Sequence, residues 1–334
     1  MKIKFLMTYP HAIIDGGGNA LIEKIKELLE KKHQVSTIDY LSYDLDADII
    51  IAFGFTWISP EIVKLYKAKG VKVIFFPIFD RVKPYWHFKS LSFLRYFPIL
   101  NLFSIRKELL DLSDKIVALN ESEKQDLVGL FGGQSSKISV IKLGISEEVI
   151  KLDKTITKDL FVKKYGFENF VFYPAATISK RKDQILLIKA LKNTGIKLVV
   201  NGAGLIQDNL ETEFKSLTDG DPNILVLKKL DLEMLVSCYK AAKVSVSLSH
   251  AETAGFANLE AAYLGCNLVI SKLPAFKSYI QDNAIYVDWN EKSVIEGVKK
   301  ALEINNDNSI KEFVINNYTW VKFSEKLNVI IEHL

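Results

Sequence analysis

Glu252 and Glu260 are separated by seven residues in the stretch Ser249-His250-Ala251-Glu252-Thr253-Ala254-Gly255-Phe256-Ala257-Asn258-Leu259-Glu260-Ala261-Ala262. The spacing alone is weak in a chain with 40 acidic residues. Its setting gives it meaning. The pattern predicts a strand ending at Leu248, a loop carrying Glu252 and Gly255, and a helix starting near Ala257 with Glu260 one turn in. A helix start offers unpaired backbone N–H groups and a positive dipole end, which suit a diphosphate. Gly255 permits close approach of backbone to a ligand. Glu260 can hold two vicinal hydroxyls, as on a ribose, and Glu252 can hold sugar hydroxyls beyond the phosphates. The plainer alternative is a solvated helix with two incidental acids. A second glycine cluster, Gly16-Gly17-Gly18, opens the first predicted helix. Its amides can face a phosphate or a sugar, or it is a simple turn.

These residues need strands and helices to position them. Lys2–Tyr9, Gln34–Tyr40, Ala47–Phe53, Val71–Pro77, Lys115–Leu119 and Lys137–Lys142 read as strands, with helices between them, including Ala20–Lys31 and Glu121–Phe131. Near-continuous apolar strands alternating with helices predict a parallel sheet covered on both faces. The rhythm pauses over the lysine-rich stretch 143–158 and then restarts. Phe170–Ala175, Ile196–Val200, Ile224–Leu227, Val244–Leu248, Asn267–Ile270 and Ala284–Val287 are the second set of strands. The fold class is α/β, with two doubly wound, Rossmann-like domains facing each other across an interdomain cleft. Ligands in such sheets bind beyond the carboxyl ends of the strands, which makes that cleft the default site. The expected division is 1–150, 151–315 and a last helix within 316–334.

The 334 residues suffice for about two domains. Hydrophobic residues make up 49% and charged residues 25%, which excludes a disordered or low-complexity chain. A net charge of +4 is too small to argue for nucleic-acid binding. Two cysteines, Cys238 and Cys266, exclude a disulfide scaffold and fit a reducing compartment. No signal-peptide pattern or run of about 20 apolar residues is present, so the expectation is a cytoplasmic protein. One stretch breaks the rhythm. Between Arg81 and Leu110, six basic residues accompany a single acid, Glu108, and seven aromatics from Tyr85 to Phe103 lie among them. Two readings stand: helices packing aromatics into the core, or a segment that touches an anionic membrane or a lipid-linked acceptor. The second makes the protein peripheral on the inner face of the cytoplasmic membrane.

With Glu252–Glu260 and its helix in place, the chain resembles the GT-B glycosyltransferases, in particular family 4 (glycosyl transferases group 1). The resemblance spans nearly the whole length in six ordered pieces. The first is Tyr9-Pro10 with Gly16-Gly17-Gly18-Asn19-Ala20 and Lys32-His33-Gln34-Val35. The second is Ser113-Asp114-Lys115 through Glu121-Ser122 with Lys137 through Ile145. Lys182 through Ala190, Leu198 through Gly204 and the Glu252–Glu260 stretch follow. Tyr318-Thr319-Trp320 heads the last helix. The resemblance implies transfer of a sugar from a nucleoside-diphosphate donor, with retention and without a metal or other cofactor. It implies a donor site on the second domain and an acceptor site on the first. Cationic side chains and helix N-termini would then stabilise the charge growing on the leaving diphosphate.

By the same resemblance, Lys182 takes the place of the family's phosphate-binding lysine. The arginine expected five residues earlier is Thr177 here, and Arg181 is the expected substitute. A solvent-facing basic helix entry is the plain reading of Ser179-Lys180-Arg181-Lys182. Glu252, Lys182, Arg181 and Asp80 are the catalytic candidates. Asp80 follows Phe79 where many relatives carry His-Asp. Glu260, Gly255, Phe256, Ala257, Asn258, Gly202, Gly204 and Thr177 are the donor-binding candidates. Gly16, Gly17 and Gly18 are the acceptor or phosphate loop. His87, His11 and His250 are weaker candidates. The expected partners are a nucleotide sugar and a glycan, lipid-linked or protein-linked acceptor, with a membrane contact through 81–110. The richness in Lys, Ile and Asn suggests an AT-rich bacterial source and a role in surface polysaccharide assembly. Two other classes remain open. A nicotinamide-dependent oxidoreductase would need G-x-G-x-x-G after a strand, and neither glycine cluster supplies it. A catalytically inactive GT-B-like partner subunit would explain Thr177 and Phe79, against intact Glu252, Glu260 and Lys182.

Overall fold

The computed structural model describes residues 1–7, 17–40, 42, 44–54, 59–81, 83–97, 101–253, 255–305 and 308–334, with the side chains of 17–19 excepted. The chain divides into two compact units. The first comprises Met1–Leu143 with Trp320–Leu334, and the second Gly144–Thr319.

In the first unit the order is β1 (Lys2–Met7), α1 (Gly17–Glu30), β2 (Gln34–Thr37), β3 (Ile49–Phe53), α2 (Ser59–Ala68) and β4 (Lys72–Phe76). Then come α3 (Tyr85–Leu91), a 3-10 turn (Ser92–Tyr96), α4 (Leu102–Leu112), β5 (Lys115–Ala118), α5 (Glu121–Phe131) and β6 (Ile138–Val140). The sheet order is β2-β1-β3-β4-β5-β6, and every pair is parallel. Every residue of β3 is buried, as a strand covered on both faces requires. Local chemistry sets the helix ends. Asn101 caps α4, accepting from Phe103 N–H and Ser104 N–H. Asn120 caps α5, which stops at Gly132 in the left-handed region.

The second unit runs α6 (Glu147–Asp153), α7 (Asp159–Tyr165), β7 (Phe170–Tyr173), α8 (Gln184–Leu191), β8 (Leu198–Asn201), α9 (Glu211–Thr218) and β9 (Ile224–Leu227). It continues with α10 (Leu232–Ala241), β10 (Ala242–Ser247), α11 (Phe256–Tyr263), β11 (Asn267–Ser271), α12 (Pro274–Ile280), β12 (Ile285–Val287), α13 (Glu291–Glu303) and α14 (Ser309–Asn317). The last helix, α15 (Trp320–Glu332), clusters with the first unit. The second sheet is also parallel, in the order β12-β11-β10-β7-β8-β9. One core fills each of its faces. Phe170, Phe172, Tyr239 and Phe276 lie in one, and Val171, Tyr173, Leu187 and Val246 in the other.

The topology places the site. From β7 the chain builds outward through β8 and β9, then returns to lay β10 on the other side of β7. The strand order therefore reverses between β7 and β10. In open parallel sheets such a reversal point, beyond the carboxyl ends of the strands, is where ligands bind. The stretch 143–158, expected to be a polar connection, contains α6. Ser146 caps it, and Val149 is buried in the second unit's core.

Candidate functional site

The loop after β7 carries Thr177, Arg181 and Lys182, and the loop after β10 carries Glu252 and Gly255. The fold brings the two together across the reversal point. Lys182 Nζ donates to Glu252 Oε2 at 2.6 Å, joining residues 70 apart in sequence. The side chains are 22% and 17% exposed, so the pair is shielded yet reachable. Three further contacts hold it in register. His250 N–H donates to the Arg181 carbonyl at 2.8 Å. Arg181 Nη1 donates to the Ala251 carbonyl at 3.0 Å. Beneath them the buried Tyr173 hydroxyl donates to the Lys182 carbonyl and accepts from Leu248 N–H at 3.2 Å. Burial raises the Tyr173 hydroxyl above its ordinary pKa, so it remains a donor.

Glu252 leads to the start of α11. Gly255 has φ of +58°, a conformation that L side chains rarely adopt. A methyl group there would lie 1.6 Å from Tyr279 Oη. The Tyr279 hydroxyl accepts from Asn258 Nδ2 at 3.2 Å, whereas the buried Asn258 Oδ1 has no hydrogen-bond partner. Phe256, Ala257 and Asn258 form the first turn of α11, whose N-cap position is Gly255. Glu260 lies one turn in, half-buried. Burial pushes its carboxyl up to about 7. No hydrogen bond or ion pair holds that carboxyl among the described residues.

Gly202 and Gly204 follow β8. Gly202 has φ of +99°, and a Cβ there would sit 2.5 Å from the Ala175 carbonyl oxygen and 2.9 Å from Thr177 N. Thr177 thus packs its backbone against the glycine turn, and its carbonyl accepts from Gln184 Nε2 at 2.8 Å. Asn201, at the end of β8, donates to the Ala175 carbonyl at 3.2 Å and leaves its buried Oδ1 without a partner. Two buried amide oxygens, on Asn201 and Asn258, are therefore unpaired along the carboxyl edge of one sheet. Such groups are costly unless something bonds them.

The other candidates belong to the first unit. Asp80, half-buried after β4, lies within electrostatic reach of Arg106 and Glu123. Gly17 and Gly18 open α1, and Gly16, Tyr9, Pro10 and His11 lie outside the described residues. His87 has its ring edge-on to Trp86 and Phe88 on α3. His250 has a larger part than the sequence suggested. Its Nε2 bonds Asp183 Oδ2 at 2.9 Å, and its ring stacks on Trp289 at 5.1 Å. Trp289 Nε1–H donates to the Leu248 carbonyl at 3.0 Å. Sequence reasoning missed this pin and the Tyr279 wall behind Gly255. Their partners lie tens of residues away, and the positive φ of Asp183 has no local signal.

A cation and a carboxylate stand side by side at a strand-order reversal, with a glycine-opened helix after them in the chain. Comparison with known proteins gives it a family. Residues 158–320 match the model described as glycosyl transferases group 1. The chain carries a glycosyl transferases group 1 domain. Lys182, Glu252 and Glu260 all lie within that domain. A curated relative, D-inositol 3-phosphate glycosyltransferase of Mycolicibacterium smegmatis, is 22% identical over 183 residues, or 53% of this chain. The aligned stretch spans only 42% of that relative's length. Among solved structures, a glycosyltransferase from Rickettsia africae aligns with a TM-score of 0.73 at 15% identity, covering 99% of this chain and 97% of its own. The Anabaena protein HepE in complex with UDP gives 0.75 at 15% identity, covering both chains fully (100% each). HepE has also been solved with UDP-glucose. The two parallel six-stranded sheets are thus the GT-B architecture of these structures.

Proposed function

We propose that the chain is a glycosyltransferase that moves a sugar from a nucleoside-diphosphate donor, with UDP as the nucleotide, to a glycan, lipid-linked or protein-linked acceptor. The observation that carries this reading is the Lys182–Glu252 pair at 2.6 Å across the strand-order reversal, with the glycine-opened first turn of α11 following it in the chain. The pair sets a cation and an anion side by side. A diphosphate competes for the cation, and sugar hydroxyls compete for the carboxylate. Lys182, Arg181 and the amides of the first turn of α11 then stabilise the charge that builds on the leaving diphosphate. Glu252 orients the sugar. Glu260 holds the ribose hydroxyls, and the glycine turn at Gly202–Gly204 with Thr177 lines the nucleotide. The amides of Gly255 to Asn258 need the close approach that only glycine at 255 permits. Bound UDP and UDP-glucose in HepE support uridine as the base.

Asp80 is assigned a polar catalytic role and the glycine loop at 16–18 to the acceptor or a phosphate, and the transfer proceeds with retention and without a metal. The setting is surface glycan assembly at the inner face of a bacterial membrane. No helix among the described residues is long and apolar enough to cross a membrane.

Thermal unfolding with UDP, GDP, dTDP, CMP and NAD, with and without magnesium, tests the reading. A nucleotide at 100 times its Kd stabilises by about 2.7 kcal/mol. The expected result is a shift with UDP alone that persists without magnesium. A shift with NAD alone would favour an oxidoreductase, and none at all would favour an inactive partner subunit.

A further inference from the structure

The segment from α3 to α4 has two sides. Its inner side is ordinary core. Phe88 packs against Phe79 and Phe103 at ring distances of 5.9 and 6.3 Å, and Phe103 is buried. Its outer side leaves large apolar groups in water. Trp86 and Tyr96 are each 70% exposed, Phe93 is 53% and Leu102 is 59%. Phe93 and Phe97 pack edge to face at 5.8 Å as a pair on this surface. Exposed aromatics so concentrated mark a contact surface.

Charge decides what it contacts. Residues 81–107 hold six basic residues and no acid. Of the described acids near the segment, Asp80 lies within electrostatic reach of Arg106 and three others form ion pairs. Asp126 of α5 bonds Arg81 at 2.6 Å, Asp111 bonds Lys107 at 2.5 Å, and Glu108 bonds Lys64 at 2.6 Å. Lys89 donates to the Gly129 carbonyl at 3.1 Å and Arg95 to the Leu130 carbonyl at 3.0 Å. These bonds fix the segment on the end of α5, and among the described residues no carboxylate pairs with either charge. Lys83 is exposed beside them. A second copy of the chain is a poor occupant, because a two-fold contact would set the same basic patch against itself. Trp and Tyr rings amid Lys and Arg suit the headgroup level of an anionic bilayer.

We propose that Trp86, Phe93, Tyr96 and Phe97, with Lys83, Lys89 and Arg95, form a docking surface for an anionic lipid membrane. The proposal rests on the membrane part of the functional reading and is independent of the donor site, which lies in the other unit.

The test is co-sedimentation of the full chain with vesicles of phosphatidylcholine alone and of phosphatidylcholine with phosphatidylglycerol. The expected result is binding to the anionic vesicles only, weakening as salt rises. Lys83→Gln and Lys89→Gln should each lower the partition coefficient about fivefold, since each basic residue near such a surface contributes about that much. Trp86→Ala with Phe93→Ser should lower it at least tenfold. Tryptophan emission should shift to the blue on binding, and Trp86→Phe should abolish most of that shift. Equal binding to both vesicle types, unchanged binding by the variants, or no binding overturns the proposal. So does a self-association seen by sedimentation velocity that Phe93→Ser abolishes. The UDP thermal shift, run on the same variants, reports whether each remains folded. A chain that binds anionic vesicles but not UDP overturns the donor assignment and supports this one.

Discussion

Each unit joins two strand-end loops through one glutamate, and the two glutamates are satisfied in opposite ways. In the first unit Glu123 of α5 is fully enclosed. It accepts from Phe79 N–H at 2.8 Å, after β4, and from Leu119 N–H at 2.7 Å, after β5. In the second unit Glu252 accepts from a flexible lysine on the loop after β7. Backbone amides cannot leave, so Glu123 is a fixed staple. A lysine can exchange its carboxylate for a phosphate, so the Glu252 pair can open to a ligand. The same side chain is structural where its donors are main chain and available where its donor is a mobile cation.

The largest expected effect is on turnover in the second unit. Lys182→Ala and Glu252→Ala should each reduce kcat by about 10²- to 10³-fold, the cost of removing one group that stabilises developing charge. Their melting temperatures should change little, because the other cross-loop bonds persist. Steady-state kinetics with a UDP-sugar checks this. Unchanged kcat in both variants would make the Glu252 pair another staple and erase the contrast.

Glu123→Ala should do the reverse. It leaves two buried N–H groups unsatisfied, at about 1–3 kcal/mol each, and loosens the loop that carries Asp80. Denaturant unfolding should show the loss, with UDP binding by the folded fraction unchanged. Glu123 also sharpens the contrast through pH. Burial outweighs its two amide bonds and pushes the carboxyl up to about 7. A carboxyl raised in the folded state binds protons more tightly there than in the unfolded chain. Its contribution to stability is complete below about 4.5 and is lost as pH rises through about 7. Glu123→Gln should flatten that slope in urea unfolding measured across the window.

Much of this was legible in the sequence, and the limit was distance along the chain. Apolar runs give away the central strands such as β3, because a covered parallel strand must be apolar along its length. Strand ends shift by one to three residues, as at β2, which ends at Thr37, and β8, where Asn201 continues the ladder. Glu252, Gly255 and Glu260 stood out as candidates because they sit between a predicted strand end and a helix start, and Lys182 through the family resemblance. Their joining could not be read, since the Lys182–Glu252 pair spans 70 residues and depends on β10 returning beside β7. Tyr279 was equally hidden. It explains why 255 is glycine, and Gly255→Ala should cost about 1–2 kcal/mol from its backbone conformation and more from the displaced ring. Loss of UDP affinity with the fold intact is the readout, and Tyr279→Phe should restore part of it by removing the clashing oxygen.

The smallest expected effect concerns the pin beside the site. His250 bonds Asp183 while stacking on Trp289, and Trp289 holds the Leu248 carbonyl. None of these groups is assigned to the donor. They tie the end of the Lys182 loop to the Glu252 loop and fix where the two charges meet. His250→Phe keeps a ring on Trp289 and removes the bond to Asp183. One partly exposed bond contributes about 1 kcal/mol, so donor affinity should weaken about fivefold with kcat nearly unchanged. A kcat loss approaching that of Glu252→Ala would move His250 from positioning the pair to acting on the substrate. An unaltered KM would leave the backbone bonds of Arg181, His250 and Ala251 sufficient to hold the register on their own.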